Sequence, residues 1–124
     1  MNPNKFISTV RDECINDLVS GYEETFSKTD IKECSDSSMK PLIQYWKQAD
    51  NPTRKVLSDF IRLGAQNGVS SLISIISSGG HFDGEFKEFE LSSIDENSKA
   101  EFGEDLLDVF WEQEEISGNV NTKT

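Results

Sequence analysis

The chain has 124 residues and a formal net charge of −11, from 23 acidic and 12 basic side chains. This length favours a single domain, and an acidic surface repels nucleic acid, so the charge disfavours a nucleic-acid-binding protein. The N-terminus has no apolar segment typical of a secretory signal, and the most apolar stretch, Val69 to Ile76, is too short to span a membrane. We therefore expect a cytoplasmic protein without membrane contact.

A long amphipathic helix is predicted from Asn4 to about Lys28, with a cap at Asn2 or Asn4. Apolar residues recur in it at four-residue steps, namely Phe6, Val10, Cys14, Leu18, Tyr22 and Phe26, and Ile7, Ile15 and Val19 widen the stripe. Because such a stripe drifts around a helix of 3.6 residues per turn, we expect this helix to contact more than one neighbour.

A second helix is predicted from Lys40 to about Ala49, with a cap at Ser37 or Ser38. Asn51 then suits the N-cap of a third helix, because Pro52 would occupy its first helical position.

The third helix is predicted to end at Asn67-Gly68, which resembles a C-cap. Gly64 and Gly68 together indicate helix termination or close packing. A short, nearly apolar fourth helix is then predicted from Val69 to Ile76, before Ser77-Ser78-Gly79-Gly80.

The segment from His81 to Leu91 allows two interpretations. Its phenylalanines favour an irregular segment or a short helix, whereas Asp83-Gly84 indicates a small β-hairpin as the alternative. A last helix is predicted from about Ser98 to Glu115, since Phe102, Leu106, Val109 and Phe110 form one apolar face.

These elements predict an all-α fold, a single compact bundle of about five helices with an irregular or hairpin-like segment near residues 79–93. An α+β fold with a small hairpin is the alternative. The predicted domain covers residues 1–116, followed by a flexible polar tail at residues 117–124.

No catalytic motif and no cofactor-binding motif is recognisable, and phosphate-binding glycine loops are absent. His81, Asp83 and Glu85 alternate along the chain and could converge on a metal ion if they lay on one strand. The spacing of Cys14 and Cys34 matches no zinc motif, so we expect two free thiols. We therefore predict no catalytic residues, no cofactor and no metal.

The negative charge is concentrated between Asp83 and Glu115, where thirteen acids face only Lys87 and Lys99, while ten acids balance ten bases elsewhere. Phenylalanines and Trp111 lie between these acids, an arrangement typical of interface anchors surrounded by charge. The candidate partner-binding residues are Asp105, Asp108, Trp111 and Glu112.

The sequence thus predicts a non-enzymatic protein–protein interaction module whose acidic C-terminal half binds a basic protein. Its composition, although no motif, is similar to that of small acidic helical proteins such as bacteriocin immunity proteins, antitoxins and nucleic-acid mimics. Two alternatives stay open, a small metal-dependent enzyme or metal-binding module centred on His81, Asp83 and Glu85, and a structural homodimer.

Overall fold

The computed structural model describes residues 1–95, 98–102 and 105–119. The described residues are mostly helical and form four helical rods and two small antiparallel hairpins. The predicted helical fold with a hairpin is therefore confirmed in outline, but the described residues form four helical rods rather than about five helices.

The first rod consists of α1 (Pro3–Arg11), a π-helical turn (Asp12–Asn16) and α2 (Asp17–Lys28). Asn2 caps this rod, because its side-chain oxygen accepts a 2.8 Å hydrogen bond from the backbone N–H of Lys5. At the end of the π turn, the backbone N–H of Asp17 donates to the carbonyl of Asp12, five residues earlier.

The buried face of this rod matches the predicted stripe only in part. Ile7, Ile15, Val19 and Phe26 are buried, whereas Cys14, Leu18 and Tyr22 are exposed. The wider π turn rotates each residue by less than an α-helix does, so Ile15 within the turn lies on the same core group as Ile7 before it. As the drifting stripe predicted, the rod has several neighbours: α1 contacts α5, and α2 contacts α3 and α4.

A 3₁₀ turn (Ile31–Glu33) precedes α3 (Lys40–Gln48). The prediction that Ser37 or Ser38 caps α3 is wrong, because Met39 occupies the N-cap without a side-chain hydrogen bond. Asp36 organises the turn before the helix instead, and its carboxylate accepts from the Ser38 hydroxyl at 2.6 Å and from the Ser38 N–H at 2.9 Å. These two hydrogen bonds from Ser38 lower the pKa of Asp36.

Helix α4 (Asn51–Ser78) is capped by Asp50 rather than by Asn51. The Asp50 carboxylate accepts a 2.8 Å hydrogen bond from the Thr53 N–H, and hydrogen bonding from Thr53 lowers the pKa of Asp50. Asn51 therefore becomes the first helical residue, and Pro52 still lies in the first turn, where its missing N–H costs nothing.

The predicted end of a helix at Asn67-Gly68 is wrong, because α4 continues through this point and has 28 residues in total. Gly64 and Gly68 do not serve close packing either, since a Cβ at either position would meet nothing within 4 Å. In the described ranges, no helix is both long enough and apolar enough to cross a membrane.

Strands β1 (Gly80–Phe82) and β2 (Glu85–Lys87) form the hairpin that was the alternative for this segment. Asp83 and Gly84 at its tip both have positive φ, 50° and 79°, as in a type I′ turn. At the base, Gly79 (φ 81°) ends α4 where a Cβ would lie 2.6 Å from the Lys87 carbonyl oxygen, so only glycine fits.

A second hairpin, β3 (Ser92–Asp95) and β4 (Ser98–Glu101), was not predicted. The last helix, α5 (Leu106–Ile116), consequently begins later than the expected Ser98. Phe102 does not belong to it, because its N–H donates to the Leu91 carbonyl at 3.0 Å and thus continues the extended pairing. Residues 103–104 of the predicted helix lie outside the described ranges.

Two groups of buried side chains form the core. The first joins α1, the π turn, α4 and α5 and comprises Ile7, Ile15, Ile73, Leu106 and Phe110. The second joins α2 and α3 and comprises Phe26, Ile43 and Trp46, with Leu57 and Ile61 of α4 packed against it. The first rod and α4 therefore span both groups, whereas α5 packs only on the first.

Candidate protein-interaction surface

Three of the four predicted partner-binding residues share one surface of α5. Asp105, Asp108 and Glu112 are spaced by three and four residues, which places them on one side of a helix, and all three are exposed. Leu106, Phe110 and Glu114 lie on the buried side. We call Asp105, Asp108 and Glu112 the acidic face.

Trp111, the fourth predicted residue, is partly buried against the first core group at the edge of the acidic face. Its ring contacts Phe110 edge to face, with 5.0 Å between the centroids and 76° between the planes. Because Phe110 itself is fully buried, it belongs to the core, and only Trp111 can present an aromatic surface beside the acids.

Helix α5 is fixed to the rest of the molecule by a buried polar network around Glu114. This carboxylate is fully buried and accepts from Arg11 Nε at 2.6 Å and from Gln66 Nε2 at 2.5 Å. The Arg11 guanidinium also donates to Gln113 Oε1 at 3.2 Å and to Ser117 Oγ at 2.8 Å. The network thereby connects α1, α4 and α5 and orients the acidic face outward.

The C-terminal end of α5 is closed by a Schellman motif. Gly118, at φ 83°, donates its N–H to the Glu115 carbonyl, and Asn119 donates to the Glu114 carbonyl, both at 3.0 Å. Residues 117–119 of the predicted tail form this cap, and residues 120–124 lie outside the described ranges.

The first hairpin presents three phenylalanines among acids. Phe82, Phe86 and Phe89 are all about half exposed, and Phe82 contacts Phe89 edge to face at 5.5 Å. Acidic side chains alternate with them, namely Asp83, Glu85, Glu88 and Glu90, and all four are exposed. We call these three phenylalanines the hairpin patch.

The same hairpin separates the residues of the metal-binding alternative. The turn at Asp83 keeps His81, Asp83 and Glu85 off a single strand. The His81 ring instead contacts Phe86 at 5.4 Å, and Glu85 forms a 3.1 Å ion pair with Lys87. In the described ranges, no three histidine, cysteine or carboxylate side chains are grouped to hold a metal ion.

A second apolar surface lies in the part of the chain before Asp83, where acidic and basic side chains nearly balance. Its cavity volume is about 350 Å³, and α2, α3, α4 and the residue before α3 contribute the lining. We call this surface the apolar groove, and it is lined by Tyr22, Phe26, Met39, Leu42, Tyr45, Trp46, Leu57, Phe60 and Ile61.

The sequence indicated the acids and the phenylalanines between them, but it did not indicate the apolar groove. The Asp83-Gly84 turn was a usable signal for the hairpin patch, since a type I′ turn leaves two short strands with exposed sides. The groove had no such signal, because periodicity marks an apolar face without showing whether a neighbour covers it.

Comparison of the chain with known protein families, with curated proteins and with solved structures found no match.

Proposed function

We propose that this protein is a non-enzymatic interaction module whose acidic C-terminal half binds a basic protein. The observation that carries the proposal is the common exposed face of Asp105, Asp108 and Glu112, with Trp111 at its edge. A cluster of like charges accelerates encounter with an oppositely charged partner and rejects acidic ones. A partly exposed tryptophan next to such charges suits an anchor that becomes buried on binding.

The hairpin patch supports the same proposal. Half-exposed phenylalanines are costly to hydrate, and the acids around them would form the polar rim of an interface. Phe89 lines the same pocket as Leu106 of α5, so one basic partner could contact both the hairpin patch and α5.

The direct test reverses the acidic face. The combined variant Asp105→Lys, Asp108→Lys, Glu112→Lys should lose the basic proteins that the native chain captures from its own cell extract at low salt. Capture is quantified by mass spectrometry after washes at low and at high salt, because screening by salt should also release these proteins.

A matched control changes the net charge equally without touching the acidic face. Glu13→Lys, Asp17→Lys, Glu33→Lys alters three exposed acids of the other half and should retain capture. Equal capture by the native chain and by the acidic-face variant would refute the proposal. Equal loss in both variants would show that only net charge matters, and would also contradict a specific acidic face.

A further inference from the structure

A cavity of about 550 Å³ lies where α4 ends, next to the segment that follows β2 and to the first residue of α5. Three kinds of group line it. The end of α4 forms one side, and Glu88 and Glu90 contribute carboxylates. The apolar lining residues are Ile76, Phe89, Leu91, Phe102 and Leu106. We call this cavity the α4-end pocket.

The end of α4 gives the α4-end pocket a side with partial negative charge. The last carbonyl groups of a helix have no N–H donor further along it, and the helix dipole is negative at this end. The Gly79 N–H donates to the Ile75 carbonyl at 2.9 Å. The three carbonyls that follow, those of Ile76, Ser77 and Ser78, have no donor within the helix. The last turn of α4 also contains no basic residue that would offset this charge.

Glu88 and Glu90 add two full negative charges to the same pocket. Both side chains are exposed, and neither forms an ion pair with another described residue. Lys87, the base next to them in the chain, forms its ion pair with Glu85 at 3.1 Å and does not line the pocket. Among the described residues, the pocket therefore has carboxylates and helix carbonyls but no cation.

The apolar side chains give the pocket its second property. Leu106 belongs to the first core group, and Leu91 and Phe102 pack against that group, so this part of the wall is held by the core. Phe89 is about half exposed. Lysine and arginine place their aliphatic stems on such surfaces while the charged head contacts polar groups, and aromatic rings attract a cation over their faces. The lining thus suits a side chain with an apolar stem and a cationic head.

We infer that the α4-end pocket binds an arginine side chain of the basic partner, with the guanidinium at the two carboxylates and the free carbonyls of α4. Arginine fits this lining better than lysine, because its planar head can donate to several acceptors at once and packs against aromatic rings. The inference rests on the proposed function, which supplies the basic partner. It adds which side chain of that partner is recognised and where it is inserted.

The test titrates the isotope-labelled full chain with N-acetyl-arginine methylamide, which presents an arginine side chain without terminal charges. Backbone amide resonances of Ser77, Ser78, Gly79 and Leu91 should shift, with a Kd of about 1 mM for a ligand of this size. N-acetyl-citrulline methylamide has nearly the same shape but no charge. We expect it to bind about tenfold or more weakly, because charge-assisted hydrogen bonds are the stronger ones.

The variant Glu88→Gln, Glu90→Gln removes both carboxylates of the pocket, and Asp83→Asn, Glu85→Gln is its matched control. Each pair neutralises two exposed acids of the same stretch of chain, but only the first pair lines the pocket. The first variant should weaken binding of the capped arginine about tenfold. The control should leave that affinity nearly unchanged, since it alters only the net charge.

Three outcomes would overturn the inference. Equal affinity for the capped arginine and the capped citrulline would remove the role of charge. Equal loss of affinity in the two double variants would show that the pocket contributes no specific contact. Tighter binding of free arginine than of the capped form would assign the pocket to a small molecule rather than to a protein side chain.

Capture of the native partner from cell extract separates this inference from the proposed function. If the acidic-face variant releases the basic partner but Glu88→Gln, Glu90→Gln does not, the pocket inference fails alone. If Glu88→Gln, Glu90→Gln releases that partner and the acidic-face variant does not, the acidic face fails and the pocket stands.

Discussion

At the scale of single residues, Glu114 differs from the other acids of its helix. Removing a carboxylate from water costs several kcal/mol, and only direct hydrogen bonds and an opposite charge can compensate. Arg11 and Gln66 supply these to the two carboxylate oxygens of Glu114. An acid that is fully occupied inside the molecule cannot contact a partner, so Glu114 positions the acidic face rather than belonging to it.

Removing Arg11 should therefore destabilise the protein strongly. Arg11→Ala leaves the carboxylate of Glu114 buried without its cation, and we expect a loss of about 3 kcal/mol in the free energy of unfolding, measured with urea. Glu114→Gln should cost only about 1 kcal/mol, because its amide oxygen still accepts from Arg11 and Gln66 can rotate its own amide to match.

The ion pair of Lys28 with Glu24 provides the control. Lys28 Nζ lies 3.0 Å from Glu24 Oε1, and both side chains are more than half exposed. Because solvent screens such a pair, Lys28→Ala should change the free energy of unfolding by less than about 1 kcal/mol. A cost of Arg11→Ala no larger than that of Lys28→Ala would contradict the structural role of the buried network.

The three acids that the sequence suggested as partner-binding residues are exposed, but the burial of Glu114 was not predicted. Leu106, Phe110 and Glu114 recur at four-residue steps, so the position of Glu114 on the apolar side was readable. Its partner was not, since Arg11 lies 103 positions away and no local pattern links them. Whether a charged residue is buried depends on such distant partners, so it cannot be predicted from its sequence neighbours.

At the scale of elements, α4 shows tertiary contacts overriding local preference. Gly64 and Gly68 each lower helix stability by about 1 kcal/mol relative to alanine, and Asn67 favours a cap. Packing of Leu57 and Ile61 on one core group and of Ile73 on the other nevertheless keeps one continuous helix. The prediction of two helices failed because it considered only the local preferences of Gly64, Asn67 and Gly68.

Replacing these glycines should stabilise the protein. Gly64→Ala and Gly68→Ala place a methyl group in open space at helical φ, and each should raise the free energy of unfolding by about 1 kcal/mol. The melting temperature and the urea midpoint measure this gain.

Gly79→Ala is the contrasting substitution. Its positive φ and the 2.6 Å approach to the Lys87 carbonyl should make alanine destabilising there. Stabilisation by Gly79→Ala, or a loss of stability in the two α4 variants, would contradict the helix bounds given above.

The hairpin of β1 and β2 could be predicted from the sequence, whereas the hairpin of β3 and β4 could not. Asp83-Gly84 is a strong local turn signal, and it indicated β1–β2 as the alternative to an irregular segment. Strands β3 and β4 have no comparable apolar alternation in Ser98-Lys99-Ala100-Glu101, so their pairing depends on where the chain is held by Leu91 and Phe102.

At the scale of the whole molecule, the acidic face and the apolar groove are built on different core groups. The acidic face is built on the first core group through Leu106 and Phe110, and the apolar groove is built on the second through Phe26 and Trp46. The sequence indicated the first of these surfaces because acidic residues can be counted along the chain without knowing the fold. The second became visible only with the fold, because it depends on which apolar residues no neighbour covers.

The division of the core into two groups has a consequence for how the protein opens in solution. Each group can act as its own cooperative unit, so amide hydrogen exchange should report two classes of protection rather than one. A single class of protection along the described residues would mean that the two halves open as one unit.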